Sequence, residues 1–123
     1  MAMARLGAVV LDCPDPVALA RFYAGILGGE IKMQEEDGDR WVDLEGVAGT
    51  TLAFQAAPGF VPPKWPSAEE SQQFHLDLTV DDLDAAEAKV LELGATVLEA
   101  DDRKRSFRVY ADPAGHPFCL CAC

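Results

Sequence analysis

The residues of this chain best suited to chemistry are His75 and Asp77, which lie two positions apart in a stretch of alternating apolar and polar residues. Residues at i and i+2 of an extended strand point to the same face, so the imidazole and the carboxylate would be neighbours. Such a histidine suits the role of acid, base or hydrogen-bond donor in a pocket. The alternative is a hydrogen-bonded histidine that lines an inert cleft, with Asp77 exposed at its wall.

The four cysteines add thiol chemistry, and Cys119, Cys121 and Cys123 alternate along one predicted strand. These three share a face but cannot bridge one another while the strand stays extended. Their spacing also lacks the wider gap and the second ligand pair of a structural zinc site. We therefore expect reduced thiols and a cytoplasmic protein.

A repeated supersecondary unit must position these residues. Gly28 and Gly94 each end a helical stretch, at an offset of 94 − 28 = 66, and Gly49 and Gly115 precede the last strands at 115 − 49 = 66. The same offset pairs Asp15 with Asp81 and Trp41 with Phe107. A constant offset across a helix and a strand indicates two copies of one unit, which we expect to pair around a cleft.

Each copy is predicted to fold as β-α-β-β-β. In the first copy we expect a strand at Leu6–Leu11, a helix from Asp15-Pro16 to Gly28, and strands at Glu30–Gln34, Arg40–Glu45 and Thr50–Gln55. In the second copy we expect a strand at Phe74–Val80, a helix capped by Asp81 or Asp82 that ends at Gly94, and strands at Thr96–Glu99, Ser106–Ala111 and Pro117–Ala122.

Composition narrows the possible partners. At 123 residues the chain fits one domain, with a first module at about 4–56, a linker at 57–73 that holds four prolines, and a second module at about 74–123. The net charge of −11 repels phosphate backbones, so nucleic acid is not expected as a partner. The apolar run Leu6–Leu11 is too short to cross a membrane or to form a signal segment.

The two units resemble the vicinal oxygen chelate superfamily, the glyoxalase, bleomycin-resistance and extradiol dioxygenase group. The resemblance rests on 74–83, Phe-His-Leu-Asp-Leu-Thr-Val-Asp-Asp-Leu, and on 112–120, Asp-Pro-Ala-Gly-His-Pro-Phe-Cys-Leu. It covers the whole chain and implies an α+β fold in which tandem β-α-β-β-β modules form curved sheets around a cup, with helices outside. Members often dimerise, so the resemblance also implies a homodimer, whose modules pair within one chain or swap between two.

The same resemblance bears on metal binding. Metal-dependent members hold one divalent ion with His or Glu side chains from the first and last strands of each unit, and His75 and Cys119 occupy these positions in the second unit. In the first unit the positions fall on Ala8 or Val9 and on Ala53, or on Gln55 if the register slips. A catalytic ion needs about three protein ligands, and hard cations prefer carboxylates. The resemblance therefore implies no metal and no other cofactor.

The resemblance further implies that Cys119 faces His75 across neighbouring strands. That arrangement allows a thiolate–imidazole pair for covalent catalysis, although ordinary packing of a buried cysteine accounts for it as well. Aromatic rings that converge on the cup would suit a flat apolar ligand. The alternative is that about half of the rings belong to the core.

Trp65, in the proline-rich linker, is expected to form a lid or a dimer contact, and His116 is expected to be solvated or to face a dimer partner. The candidate ligand-binding residues are His75, Asp77, Gln55, Trp41, Trp65, Phe107 and Cys119.

Three functions follow from these observations. The first is metal-independent binding of a small apolar or aromatic molecule. The second is a glyoxalase-type lyase, isomerase or dioxygenase that uses His75 as a base or metal ligand. The third is a protein in which the dimer interface matters more than the cup.

Overall fold

A computed structural model describes residue 3 and residues 6–33, 40–70, 75–102 and 105–122. The predicted positions at Gln34, the turn Glu35–Asp39, Phe74 and Cys123 lie outside this part of the chain. The chain divides into two compact units, Met1–Phe60 and Val61–Cys123, with the boundary inside the predicted linker.

The first unit contains β1 (Ala8–Cys13), α1 (Pro16–Leu27), β2 (Glu30–Met33), β3 (Trp41–Glu45) and β4 (Thr51–Ala56). Its sheet has the order β1-β4-β3-β2, and β1 and β4 are parallel. Strand β1 begins and ends two residues later than the predicted strand Leu6–Leu11, because Ala8–Cys13 pairs along its whole length with Thr51–Ala56. Leu6 stays exposed, whereas Cys13 is completely buried.

The second unit contains β5 (Leu76–Thr79), α2 (Leu83–Leu93), β6 (Thr96–Glu99), β7 (Phe107–Ala111) and β8 (Pro117–Cys121). Its sheet has the equivalent order β5-β8-β7-β6, with β5 and β8 parallel. Two mixed four-stranded sheets, each accompanied by one helix, confirm the predicted α+β class. Neither helix of the described residues is long and apolar enough to span a bilayer.

The two helices begin at aspartates that cap them in the same way. The side chain of Asp15 accepts a hydrogen bond from the Ala18 amide at 3.2 Å, and that of Asp82 accepts one from the Ala85 amide at 3.1 Å. The two caps are therefore 82 − 15 = 67 positions apart. The prediction that Asp81 is the equivalent of Asp15 is wrong, because Asp82 is the cap of α2. The offset returns to 66 at the helix ends because α1 has 12 residues and α2 has 11.

The helix-facing sides of the two sheets differ in polarity. In the first unit Tyr23 of α1 stacks on Phe54, with ring centroids 5.8 Å apart. In the second unit Arg108, only 4% exposed, donates a 2.8 Å hydrogen bond to Asp84, and the Tyr110 hydroxyl donates one of 2.8 Å to Glu87. Burial, followed by the charge and hydrogen bond of Glu87, raises the pKa of Tyr110 to about 12.

Two further expectations fail, the first in one of its two alternatives: the solvated role of His116 is wrong, and its dimer-facing role stays a prediction. His116 is buried, not solvated, because the turn before β8 closes around it: its amide donates to Asp112 Oδ1 at 3.0 Å and its carbonyl accepts from the Asp112 amide at 2.9 Å. Cys121 is disulfide-bonded, whereas Cys13 and Cys119 take part in no disulfide. The expectation that all cysteines are reduced therefore fails at Cys121.

Candidate functional site

Strands β5 and β8 bring three chemically capable side chains together. Asp77 pairs in register with Cys119, so the two side chains lie on one face of the sheet. His75 lies two residues before Asp77 on the same side, and its Nε2 is 3.1 Å from Asp77 Oδ1. The side chains of His75 and Asp77 are 36% and 64% exposed, while Cys119 is 4% exposed. The predicted neighbourhood of His75 and Asp77 is therefore present, with Cys119 beneath it.

A fourth side chain reaches this face through a β-bulge. Val97 of β6 pairs with Tyr110, but the register then shifts and Glu99 pairs with Val109. Val109 in turn pairs with Cys119, so a row of four residues crosses the sheet: Glu99, Val109, Cys119 and Asp77. Without the bulge Glu99 would lie opposite Arg108, on the face toward α2. Bulges redirect side chains in this way, and nothing in the sequence around Glu99 revealed it.

A pocket of about 360 Å³ in the second unit is lined by His75, Asp77, Glu99 and Cys119. Two aromatic side chains supply its apolar walls: Phe107 of β7, and Trp65, whose ring meets the His75 ring edge-on at a centroid distance of 5.5 Å. Among the described residues, the lining consists of Trp65, His75, Asp77, Glu99, Phe107, Cys119 and Cys121. A concave site with aromatic walls and a few convergent polar groups is typical of small-molecule sites.

Cys119 is not an activated nucleophile in this setting. Burial raises the pKa of its thiol to about 12, with further contributions from the charge and hydrogen bond of Asp77 and from the charge of Glu99. A reactive cysteine needs the opposite shift, toward a thiolate at neutral pH. Of the two interpretations from the sequence, packing agrees with this environment better than covalent catalysis.

The remaining candidates lie elsewhere. Trp41 and Gln55 pair across β3 and β4 and line a pocket of about 410 Å³ in the first unit, together with Arg40, Ala56 and Pro58. Phe54 and Tyr110 belong to the cores of their own units. The structure therefore brings five of the seven candidate ligand-binding residues into one pocket and places the other two, Trp41 and Gln55, in another.

The donor atoms of His75, Asp77 and Cys119 lie within 4.8 Å of one another. The sequence predicted only His75 and Cys119 as donors in this unit, and Asp77 adds a third donor because it faces the same way. Nitrogen, carboxylate oxygen and sulfur are the three donor types that zinc uses, and three protein ligands leave one position open. The donor set therefore fits a divalent ion such as zinc, which when bound would supply Lewis acidity.

The equivalent positions of the first unit hold no donors. Val10 pairs with Ala53 as Asp77 pairs with Cys119. Equivalent residues of the two units are therefore 77 − 10 = 67 positions apart in the first strand and 119 − 53 = 66 positions apart in the last strand. At the first-strand offset the counterpart of His75 is Ala8, since 75 − 8 = 67. The structure thus selects Ala8 over Val9 as the counterpart of His75, and the first unit has apolar residues at all three positions.

A family model described as a glyoxalase-like domain matches residues 8–121. Solved structures share the fold. A glyoxalase/bleomycin resistance protein/dioxygenase family enzyme from Burkholderia phytofirmans PsJN has 19% identity and a TM-score of 0.72, covering 95% of this chain and 97% of its own. A possible glyoxalase from Bacillus cereus has 17% identity and a TM-score of 0.70, covering 98% of this chain and 100% of its own.

The fosfomycin resistance protein FosX from Mesorhizobium loti has 15% identity and a TM-score of 0.71, covering 100% of this chain and 94% of its own. No functionally curated protein matches the sequence. At these identities the solved structures establish the fold but do not identify a ligand.

Proposed function

Since the chain belongs to the glyoxalase-like domain family, we propose that it binds a small, largely apolar or aromatic molecule in the pocket of the second unit, without a requirement for metal. One observation carries the proposal. Five residues chosen from sequence as ligand-binding candidates line a single pocket of about 360 Å³, within the range of about 300 to 1,000 Å³ that small-molecule sites occupy.

The chemistry of the lining supports an aromatic ligand. Phe107, 37% exposed, offers apolar surface that a bound ring would cover. His75 and Asp77, held 3.1 Å apart, offer one donor and one acceptor that would orient a polar substituent. A single-ring compound of about nine heavy atoms would bind such a site with a Kd on the order of 1 mM.

The test uses the two tryptophans, one in each unit. A Trp41→Phe variant leaves Trp65 as the sole tryptophan and reports on the pocket of the second unit. Titration with phenethyl alcohol should give a saturable change in its fluorescence, and Phe107→Ala in the same background should weaken binding. The matched Trp65→Phe variant, which retains Trp41, serves as the control. Absence of saturation in the Trp65 reporter would count against the proposal.

A second candidate function is favoured by the three converging donors: a glyoxalase-type lyase, isomerase or dioxygenase whose divalent ion is held by His75, Asp77 and Cys119. A specific ion at 100 times its Kd should stabilise the fold by about 2.7 kcal/mol. The stabilisation should disappear in His75→Ala. With cobalt, a thiolate charge-transfer band should disappear in Cys119→Ala but persist in Cys13→Ala, which removes a cysteine that is also outside any disulfide.

We also propose that the protein is a homodimer and is cytoplasmic. The dimer rests on the resemblance to a family whose members often dimerise. Light scattering of the purified protein measures the mass directly, and a monomeric mass over a range of concentrations would refute the dimer.

A further inference from the structure

The pocket of the second unit has an unbalanced charge. Two carboxylates line it, Asp77 from β5 and Glu99 from the bulge of β6, and none of the described lining residues is a lysine or an arginine. The bulge therefore adds the carboxylate of Glu99 to a face on which regular pairing of β6 would leave the carboxylate of Asp77 alone.

A cation from the chain itself already sits at the rim of this pocket. The guanidinium carbon of Arg105 lies 5.3 Å from the centroid of the Phe107 ring, within the distance of a cation–π contact. Arg105 Nη1 lies 3.7 Å from Glu99 Oε2, and its Nε lies 3.7 Å from Asp102 Oδ2. These separations are ion pairs longer than hydrogen bonds, and the Arg105 side chain is half exposed. The contacts are loose enough for a ligand to compete with them.

We infer that the ligand of this pocket carries a positive charge beside its apolar or aromatic part, as an arylalkyl amine or guanidine does. The inference rests on the proposed function and specifies the ligand class. The ammonium or guanidinium group would lie against Asp77 and Glu99, and the ring against Phe107 and Trp65. Arg105 then acts as a competing cation that a ligand displaces from Glu99 and Phe107.

Three probes of nearly equal size and different charge test this inference: phenethylamine, phenethyl alcohol and phenylacetate. Binding is measured by calorimetry and by the Trp65 fluorescence of the Trp41→Phe protein. We expect the amine to bind roughly tenfold more tightly than the alcohol at low ionic strength, and phenylacetate to bind most weakly. Added salt should narrow the difference between amine and alcohol.

The outcomes separate the two proposals. If the alcohol saturates the pocket as tightly as the amine, or phenylacetate binds best, the cationic class is wrong while the proposed binding function stands. If no probe saturates the Trp65 signal, the proposed function fails and this inference fails with it.

Two charge variants with opposite expected signs complete the test. Glu99→Gln should weaken amine binding about two- to fivefold, and Arg105→Gln should strengthen it about twofold, because the competing cation is gone. Both variants should change alcohol binding less than amine binding, because the alcohol carries no charge to attract Glu99 or to compete with Arg105. Glu92→Gln, which removes one exposed charge from α2, controls for net charge. Equal effects of Glu99→Gln on the amine and the alcohol, or weaker amine binding in Arg105→Gln, would overturn the inference.

Discussion

The two units share one strand order but differ in the row of residues that crosses the open face of each sheet. In the second unit that row is Glu99, Val109, Cys119 and Asp77. In the first unit it is Lys32, Asp43, Ala53 and Val10. The strand β2 pairs with β3 without a register shift, whereas β6 carries the bulge that delivers Glu99. Within the described residues, one duplicated frame therefore supports a pocket with converging carboxylates in the second unit and not in the first.

The helix-facing sides differ in the same sense, with polar residues again in the second unit. On the side opposite the open face, the first unit packs apolar residues such as Val42 and Leu44 against α1. The equivalent positions of the second unit hold Arg108 and Tyr110, since 108 − 66 = 42 and 110 − 66 = 44. The second unit thus holds its helix through Asp84 and Glu87 as well as through packing. Its stability should depend on charges in a way that the first unit's does not.

The largest effect is expected from Arg108→Ala. Loss of the guanidinium leaves Glu87, whose side chain is only 16% exposed, without its 3.7 Å counter-charge. Breaking a buried pair is costly, but the partner Asp84 is largely exposed, so we expect a loss of about 3 kcal/mol of unfolding free energy. Val42→Ala in the first unit should cost about 2 kcal/mol through the cavity alone.

Urea denaturation measures both losses. The double variant Arg108→Met with Glu87→Gln should recover much of the loss, because the only described partner of Arg108 that then keeps its charge is Asp84, which is largely exposed. If the double variant is no more stable than Arg108→Ala, the account of an uncompensated Glu87 is wrong.

The second prediction concerns Tyr110→Phe, which removes a 2.8 Å hydrogen bond to a carboxylate and should cost about 1.5 kcal/mol. Because the pKa of Tyr110 is raised from 10.0 to about 12 in the fold, the fold binds the phenolic proton more tightly than the unfolded chain does. Its contribution is complete below pH 10 and is lost as the pH rises toward 12.

Unfolding free energies measured across this alkaline range should therefore fall less steeply in Tyr110→Phe than in the native protein. Cys119 also has a pKa raised to about 12, so the comparison is made in a Cys119→Ala background. Parallel pH profiles of the two proteins would contradict the assignment.

Much of this architecture was predictable because it depends on local signals. Gly28 and Gly94, which end the two helices, together with the repeated offset, predicted the β-α-β-β-β order of both units. The alternation of His75 and Asp77 predicted a shared face, which depends only on the geometry of an extended strand. The resemblance supplied the expectation that Cys119 lies near His75, and the register of β5 with β8 agrees with it.

The rest depended on pairings between distant residues. The place of Glu99 in the pocket requires the bulge, and the role of Asp77 as a third donor requires its register with Cys119. Neither register can be predicted from composition or periodicity, because each depends on which residues of two different strands lie opposite each other. The one-residue difference in helix length, which makes Asp82 the cap of α2, was likewise visible only as two adjacent aspartates in the sequence.

The third prediction addresses Cys119, whose counterpart in the first unit is Ala53. Asp77 raises the pKa of the Cys119 thiol through its charge and its hydrogen bond. Asp77→Asn should therefore increase the thiolate fraction and accelerate alkylation of Cys119 by iodoacetamide, roughly fivefold for a carboxylate as exposed as this one. Mass spectrometry of the peptide that contains Cys119 measures the rate. Glu99→Gln should accelerate alkylation less than Asp77→Asn does, since the charge of Glu99 makes the smallest contribution to the raised pKa of Cys119. A larger acceleration in Glu99→Gln would show that Glu99, and not Asp77, is the main carboxylate acting on the thiol.

The smallest effect is expected at the helix caps, where the units differ in what else holds each helix. Asp15→Ala and Asp82→Ala each remove one hydrogen bond to an exposed amide and should cost about 0.5–1 kcal/mol. Helix α1 buries five residues, whereas α2 buries only Val90. Loss of the cap should therefore release the first turn of α2 to rapid amide exchange and leave most of α1 protected. Equal deprotection of both helices would show that packing does not distinguish them.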